Sequence, residues 1–418
     1  MSQIHKNFTD CQVKEFLNKY IAKEIDQAYL QKILGLKRRR LFDLLKKYKD
    51  DPQNFSIQYK RTQPKRLSSD IEQTIIEELS IDQKIIENKD VPLKSYNYSY
   101  IKNRLENNFN KKVSLPTIIK RAKENGFYLK KRDKPKKHER EVLTDFTGEL
   151  IQHDSSIHLW APAAKEKWYL ITSIDDYSRF LLYATLVRKE TAWTHIDALQ
   201  SLILRFGLPY QYYVDSHSIF RFVRDRDSTW NRAHLITDQA TPQWKQVLND
   251  CHIKVIHALS PQAKGKIERP YLWLQDHLVR SCVRENVTDI KHGQRILDLE
   301  LRRYNYKQVH STTQQIPYIR FKDAQDQKKT LFRKFEVLEP FNDYNDIFCL
   351  RLDRVTDPYR KISINNLVLK VKNVNPREIV QLRIFPLKNG FSQIRFWVKN
   401  KLVDSQKVKN SDLKGVHF

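Results

Sequence analysis

Glycine is scarce in this chain, with eight among 418 residues. Each therefore reads as punctuation, and Gly35, Gly126, Gly148, Gly207, Gly265 and Gly390 mark off short units. Cysteine is scarcer still. Cys11, Cys251, Cys282 and Cys349 lie far apart, form no C-x-x-C pair and have no histidines at zinc-site spacing. That pattern argues against a disulfide framework or a zinc cluster and suits a reduced, cytosolic protein. No run of about 18 apolar residues occurs, and the opening MSQIHKNFTDCQVKEF lacks the apolar centre of a signal peptide, so no membrane association is expected. Acidic residues are also short. Against 76 Lys and Arg stand 49 Asp and Glu, a formal charge of +27 at pH 7.

What is present is enough to fold. With 40% hydrophobic and 30% charged residues, a chain of this length buries cores and splits into more than one domain. The basic residues recur along the whole chain, the usual mark of a polyanionic partner, because neutralising phosphates releases counterions. Charge alone leaves a ribosomal or membrane-surface protein open.

Residues 1–50 read as three short helices. Leu41, Leu44, Leu45 and Tyr48 form an apolar stripe at i, i+3, i+4 and i+7, surrounded by Lys37, Arg38, Arg39, Lys46 and Lys47. The run EIDQAYLQKILGLKRRRLFDLLKKY resembles a helix-turn-helix turning at Gly35, whose second helix would enter the major groove. A plain three-helix bundle with solvated lysines is the alternative. Residues 51–68 form a linker broken by Pro52 and Pro64. Residues 69–127 read as a second helical DNA-binding domain, with Ser114 as an N-cap and Gly126 closing its last helix, or else as a packing subdomain. Residues 128–143 form a basic linker.

From residue 144 to 320 the hydrophobic period changes. GELIQHDSSIHLW, KWYLITSIDD and RFLLYATLV are three successive strands, followed by a helix from Thr191 to Phe206, a strand QYYVD, a helix from Gln243 to Cys251 and a strand HIKVIHA. This pattern predicts a mixed sheet with helices on its faces. Asp154 lies in the first strand, Asp215 ends the fourth, and Glu268 opens the helix after the fifth. Strand ends meet at the ligand crevice of such sheets, and a divalent cation relieves the mutual repulsion of converging carboxylates. Mg²⁺ suits oxygen donors of this kind. Asp175 and Asp176 are the rival acids, read as a turn that caps the second strand with Arg179 pairing locally. Pro270 is tolerated only near a helix start, so that helix should begin close to Ile267. Its buried face should then run through Ile267, Tyr271, Leu274, Leu278 and Cys282.

The segments GELIQHDSSIHLW, IDDYSRF, DSHSIFRF, SPQAKGKIER and RRYNYKQVHSTTQQIPYIRF resemble successive blocks of the DDE integrase-core transposases of bacterial insertion sequences. Within that family they are most like the ISNCY-type branch. The resemblance spans about Tyr128 to Phe321 and more loosely the flanks. It implies a ribonuclease H-like catalytic core with Asp154, Asp215 and Glu268 as catalytic and metal-binding triad, two Mg²⁺ or Mn²⁺ ions, and DNA 3′-end cleavage followed by strand transfer. A DNA-binding regulator descended from a transposase, or a nuclease of the same fold, would share these blocks. The implied partners are double-stranded DNA, both element ends and target, and further copies of the chain as a homodimer or larger assembly. The implied location is the bacterial cytoplasm, at the nucleoid when DNA is bound.

Departures from the family pattern are local. Asp215 is followed by Ser216-His217 in place of Asn-Gly, Ser155-Ser156 stands where Gly-Ser is common, and the interval to Glu268 is lengthened by an insertion at 219–240. His217 could orient a phosphate or a carboxylate, or be structural. Lys264, Lys266 and Arg269 are candidates for DNA phosphates, and residues 260–266 should be mobile until DNA and metal bind. Residues 321–344 form a connector. Residues 345–418, with Asn389-Gly390 as a hairpin signal, are expected to form a small β-barrel that binds DNA or joins subunits. The expected architecture is thus multidomain α/β: N-terminal all-α helix-turn-helix modules, a central ribonuclease H-like core and a C-terminal barrel.

Overall fold

The computed structural model describes residues 4–58, 67–129, 144–214, 243–257, 265–364, 367–413 and 416, with backbone alone at 265–269 and 388. They form two compact units, Met1–Gln73 and Thr74–Phe418. The linker segment 59–66, the tether from 130 to 143, the insertion at 219–240 and residues 260–264 lie outside the described residues.

The first unit is helical: α1 (Ile4–Asn7), α2 (Asp10–Ile21), α3 (Gln27–Leu34) and α4 (Arg38–Asp50). Thr9 and Gln12 cap α2 reciprocally, and Asp26 accepts from the Tyr29 N–H at the start of α3. Helix α3 stops where Gly35 takes φ +63°, and the Leu36 N–H turns back to the Gln31 carbonyl. Helix α4 follows after that short turn. Val13, Leu17, Leu30, Leu34, Leu41 and Leu45 close the core between them.

The second unit opens with most of α5 (Ser69–Glu87), then α6 (Tyr98–Asn108) and α7 (Leu115–Glu124), the last capped by Ser114 as the sequence indicated. A five-stranded sheet follows: β1 (Leu150–His158), β2 (Trp168–Asp175), β3 (Leu181–Val187), β4 (Gln211–Val214) and β5 (Lys254–His257), in the order β3-β2-β1-β4-β5. The first three strands are antiparallel, while β4 runs parallel to both β1 and β5. This is the mixed sheet that the alternation of strands and helices predicts. Between the strands run α8 (Ala192–Phe206) and α9 (Gln243–Asp250), and after β5 come α10 (Gly265–Arg284), α11 (Ile290–Tyr306) and α12 (Pro317–Asp326).

Both faces of the sheet are covered, so its strands are nearly continuous apolar runs. Ile151, Tyr212 and Val214 pack with Ile196, Leu199 and Ile203 of α8 and Trp244 of α9. Trp168, Leu170 and Ile174 pack on the other side with Leu274 and Leu278 of α10 and Leu297 and Tyr304 of α11. Two glycines mark where the connector crosses the sheet. Gly148 (φ +72°) leaves no room for a Cβ, which would fall 2.6 Å from the Phe332 ring, and Gly207 (φ +95°) lies against the Arg333 carbonyl.

The helices that precede the sheet join α10 through ions. Arg280 is fully buried and gives its guanidinium to Asp82, to the Ser95 carbonyl and, at 2.9 Å, to Asp276. Beside it Glu78 pairs with Arg104 at 2.8 Å and with Arg284 at 2.9 Å. Three guanidinium groups thus meet three carboxylates, which is the condition for burying them.

The C-terminal region corrects one expectation. Strands β6 (Leu350–Val355), β9 (Ile379–Pro386), β10 (Phe391–Val398) and β11 (Lys401–Lys409) form an open sheet in the order β11-β10-β9-β6, and β7 (Lys361–Ile364) pairs only with β8 (Leu367–Lys370). No sheet closes into a barrel among the described residues. Closure would need that hairpin to carry the ladder from β6 round to β11. Its strands are short, and it reaches β11 through side chains instead: Asp404 accepts from the Lys372 N–H at 3.0 Å and Gln406 donates to the Lys370 carbonyl at 2.7 Å. The sheet's other face is also covered. Arg351, Arg383 and Arg395 stand side by side across β6, β9 and β10, and Arg351 and Arg395 pair with Asp250 and Asp343 at 2.7 and 2.6 Å. The hairpin signal holds, since Asn389 and Gly390 both take positive φ between β9 and β10.

Arg280→Met leaves Asp82 as an unpaired buried charge and should cost about 3–5 kcal/mol in denaturant unfolding. Combining it with Asp82→Leu should recover most of that loss. Equal stability of the single variant and wild type would mean the pair contributes nothing.

Candidate functional site

Asp154 sits at the middle of β1, half-buried, paired in register with Thr172 of β2. Directly paired residues of neighbouring strands share a face, so Asp154 and Thr172 face the layer of α10 and α11, as do Gln152 and Ile174. Helix α10 is fastened here. The Tyr271 hydroxyl donates to the Asp154 carbonyl at 2.7 Å and accepts from the Thr172 hydroxyl at 2.8 Å. Residue 268 lies on the α10 backbone one turn before Tyr271. The third element is β4, which lies parallel to β1 with Gln152 opposite Tyr213 and ends at Val214. Asp215 and the side chain of Glu268 lie outside the described residues, as do His217, Lys264 and the side chains of Lys266 and Arg269.

Of the predicted face of α10, Tyr271, Leu274, Leu278 and Cys282 are buried, and the side chain of Ile267 lies outside the described residues. The helix starts at Gly265, two residues earlier than expected, so Pro270 falls past the first turn and the residue 266 carbonyl lacks its usual intrahelical donor.

Behind Asp154, on the α8 side of β1, lies a buried polar chain that sequence reasoning missed. Ser173 Oγ is 2.8 Å from His153 Nδ1, His153 Nε2 is 2.8 Å from His195 Nδ1, and His195 Nε2 is 2.9 Å from Glu190 Oε1. Ser155 donates to the same Glu190 oxygen. Since a carboxylate only accepts, hydrogen-bond logic places a proton on His195 Nε2 and orients the chain back to the Ser173 hydroxyl. Trp244 stacks on His153 with centroids 5.8 Å apart. The two residues that flank Asp154 are therefore anchored on the opposite face of the strand. His153 beside a candidate acid was the available signal, but its partners lie far along the sequence.

Asp175 and Asp176 form the turn the sequence indicated. Asp175 is fully buried and accepts from Ser178 and from the Gly148 N–H at 2.9 Å. Asp176 takes Arg179 at 2.9 Å and Thr144 at 2.8 Å. These carboxylates tie β2 to the entry of β1.

Lys37, Arg38 and Arg39 are exposed at the start of α4, where Lys37 makes no side-chain cap and Arg40 follows. Cations at a helix N-terminus oppose its dipole. An arrangement unfavourable in isolation becomes favourable against a polyanion, and in a helix-turn-helix this end of the second helix meets the DNA.

The described elements bring Asp154 near the end of β4 and the first turns of α10. A carboxylate at Asp154 is a hard oxygen donor suited to Mg²⁺ or Mn²⁺. Among the described residues no three His, Cys, Asp or Glu side chains gather as a metal site, and no helix is long and apolar enough to cross a membrane.

No family model matches the chain. It is 30% identical over 193 residues to the putative transposase y4bF of Sinorhizobium fredii (strain NBRC 101917 / NGR234), covering 46% of this chain and 40% of that protein. It is 25% identical over 234 residues to the transposase for insertion sequence IS1202 of Streptococcus pneumoniae, covering 56% and 45%. The chain thus matches less than half the length of these relatives, and over that stretch it is homologous to transposases in general, with no particular branch singled out. A solved simian T-cell lymphotropic virus intasome, in complex with the PP2A regulatory subunit B56 gamma, is 12% identical, with a TM-score of 0.35 over 71% of this chain and 89% of that one.

Burial pushes the Asp175 carboxyl up to about 6, against the hydrogen bonds from Ser178 and Gly148. The folded protein then holds this proton at pH values where the unfolded chain, with a carboxyl near about 3.9, has lost it. Its stabilising contribution is full below about pH 4 and lost as pH rises through about 6. Relative to Asp175→Asn, wild type should lose about 2 kcal/mol of unfolding free energy between pH 4 and pH 7. A constant difference would refute the raised carboxyl.

Proposed function

We propose that this chain is a DDE-type DNA transposase of the ISNCY-type branch, cutting element ends to free 3′-hydroxyls and joining them to target DNA. The observation that carries the proposal is the fastening of α10 to β1 at Asp154 through Tyr271, beside the end of β4. Asp215 follows Val214, the last residue of β4, directly in the sequence. Glu268 stands one turn before Tyr271. Homology to transposases over about half the chain supports the same reading.

In this reading Asp154, Asp215 and Glu268 hold Mg²⁺ or Mn²⁺, two ions per site, which when bound activate the attacking oxygen and stabilise the departing one. The chain's own part is to hold these carboxylates still. Tyr271 fixes the helix relative to β1, and the Glu190-His195-His153-Ser173 chain fixes β1 from behind. Lys37, Arg38 and Arg39 bind duplex DNA from the first unit, and Lys264, Lys266 and Arg269 bind phosphates beside Glu268. The active form is a homodimer or larger assembly holding two ends, acting in the bacterial cytoplasm at the nucleoid.

The test is an assay with Mg²⁺ and DNA from both flanks of the gene. Joined product is the expected result; nicking alone would indicate a nuclease, and binding alone a regulator. Asp154→Asn, Asp215→Asn and Glu268→Gln should each lower cleavage by on the order of a thousandfold, since metal stabilisation amounts to several kcal/mol, while DNA binding persists. Cleavage at the wild-type rate by Asp215→Asn and Glu268→Gln would overturn the site assignment.

A further inference from the structure

Asp154 lies on a part of β1 that the sheet supports along one edge. Among the described residues β4 pairs with β1 over Leu150–Gln152 and stops, whereas β2 pairs with it as far as His158. A second hold comes from the α8 face, through a carboxylate. Glu190, the residue before the Thr191 cap of α8, accepts from the Ser155 hydroxyl and, at 2.9 Å, from His195 Nε2, both at its Oε1 oxygen. His195 Nδ1 is in turn 2.8 Å from His153 Nε2. One oxygen thus ties down both neighbours of Asp154. Residues two apart in a strand share a face, so His153 and Ser155 turn toward α8 while Asp154 turns toward α10. The anchor itself is rigid: Thr191 and Thr194 cap α8 reciprocally, His195 is fully buried near the helix start, and Trp244 of α9 stacks on His153. Ser155 stands where glycine is common in the family these blocks resemble, and a glycine could not make this bond.

We infer that Ser155 and Glu190 are positioning residues for Asp154, and that their shared hydrogen bond sets how tightly the candidate site holds a divalent cation. The inference rests on the reading of Asp154 as a metal ligand and adds to it two residues from the opposite face of the strand. A ligand that must be ordered when the ion arrives subtracts the cost of ordering from the binding free energy; one already held in place does not. Hydrogen bonds to an ionised acceptor are the strong kind. The Glu190 side chain is only 13% exposed, so solvent and salt weaken the tie little. Groups that orient a metal ligand typically change metal affinity by about 10- to 100-fold when removed. Ser155 acts through the backbone, which places its effect at the low end of that range.

The probe is Mn²⁺ alone, titrated into the full chain, with free Mn²⁺ read from its electron paramagnetic resonance signal and urea unfolding followed in parallel. Ser155→Ala should raise the Mn²⁺ dissociation constant about tenfold, and Ser155→Thr, which keeps the hydroxyl, should stay within about twofold of wild type. Glu190→Ala should weaken binding at least as much as Ser155→Ala. Adding Ser155→Ala to it should cost nothing further, because both act through one oxygen. Ser392→Ala, which removes a buried hydroxyl from the C-terminal sheet, should lower the urea midpoint without changing Mn²⁺ affinity. Wild-type affinity in Ser155→Ala, with binding lost in Asp154→Asn, would overturn the inference alone, and that arm decides even if Glu190→Ala fails to fold. Equal weakening by Ser155→Thr and Ser155→Ala, or full additivity of Ser155→Ala and Glu190→Ala, would reject it too. Mn²⁺ affinity in Asp154→Asn equal to that of wild type would overturn the site reading and the inference with it.

Discussion

Helix α10 is held at both ends of its buried length by polar groups that have no access to water, and the second unit is arranged around that constraint. The Tyr271 hydroxyl must find partners, and finds the Asp154 carbonyl and the Thr172 hydroxyl on the sheet. The Arg280 guanidinium must be neutralised, and finds Asp82 and Asp276. Nine residues separate the two, two and a half turns at 3.6 residues each, which puts them on opposite sides of the helix. One side therefore belongs to the sheet and the other to α5 and the segment leading to α6. A rod pinned on two sides can neither rotate nor slide without exposing a buried charge or orphaning a hydroxyl.

That rigidity bears on the chemistry at the helix start. In the proposed site a carboxylate sharing an ion with two others would have to be held to a fraction of an ångström, which is easier on a pinned helix than on a loop. The same holds for β1, whose residues on either side of Asp154 are tied on the reverse face through Glu190 and the paired histidines. Supports on both faces leave Asp154 as the one residue of this run turned toward α10. The weakest point of the helix is at Pro270, where one intrahelical hydrogen bond is missing. Adjustment of the helix is least costly there, between the pinned segment and the first turn.

Much of this was legible from periodicity. The five strands, the helix from Thr191 to Phe206 with its Gly207 stop, and the apolar face of α10 follow from spacing alone, because burial on a regular element repeats with the element. What escaped depends on partners distant in sequence. Nothing in the local spacing marks Glu78 and Asp82 as buried, and they are so because Arg284 and Arg280, some two hundred positions later, meet them. His153 and His195 are invisible as a pair for the same reason. The barrel expectation failed on a subtler point. Alternation in β9 and β10 reveals a buried face but not which edges pair, and both inner and outer faces of this sheet are covered, the outer one by arginines that a barrel surface would expose.

The ion pairs also sharpen the meaning of the net charge. Glu78, Asp82, Asp176 and Asp250 are each matched to an arginine inside the protein or at its margin. Pairing removes equal numbers of each sign from contact with solvent, so the excess of +27 is carried by a surface with fewer acids to dilute it than composition implies. The exposed arginines at the start of α4 are not among these internal pairs. Arginine in this chain thus divides by location, its planar fork holding carboxylates within the fold and its charge left outward at the start of α4.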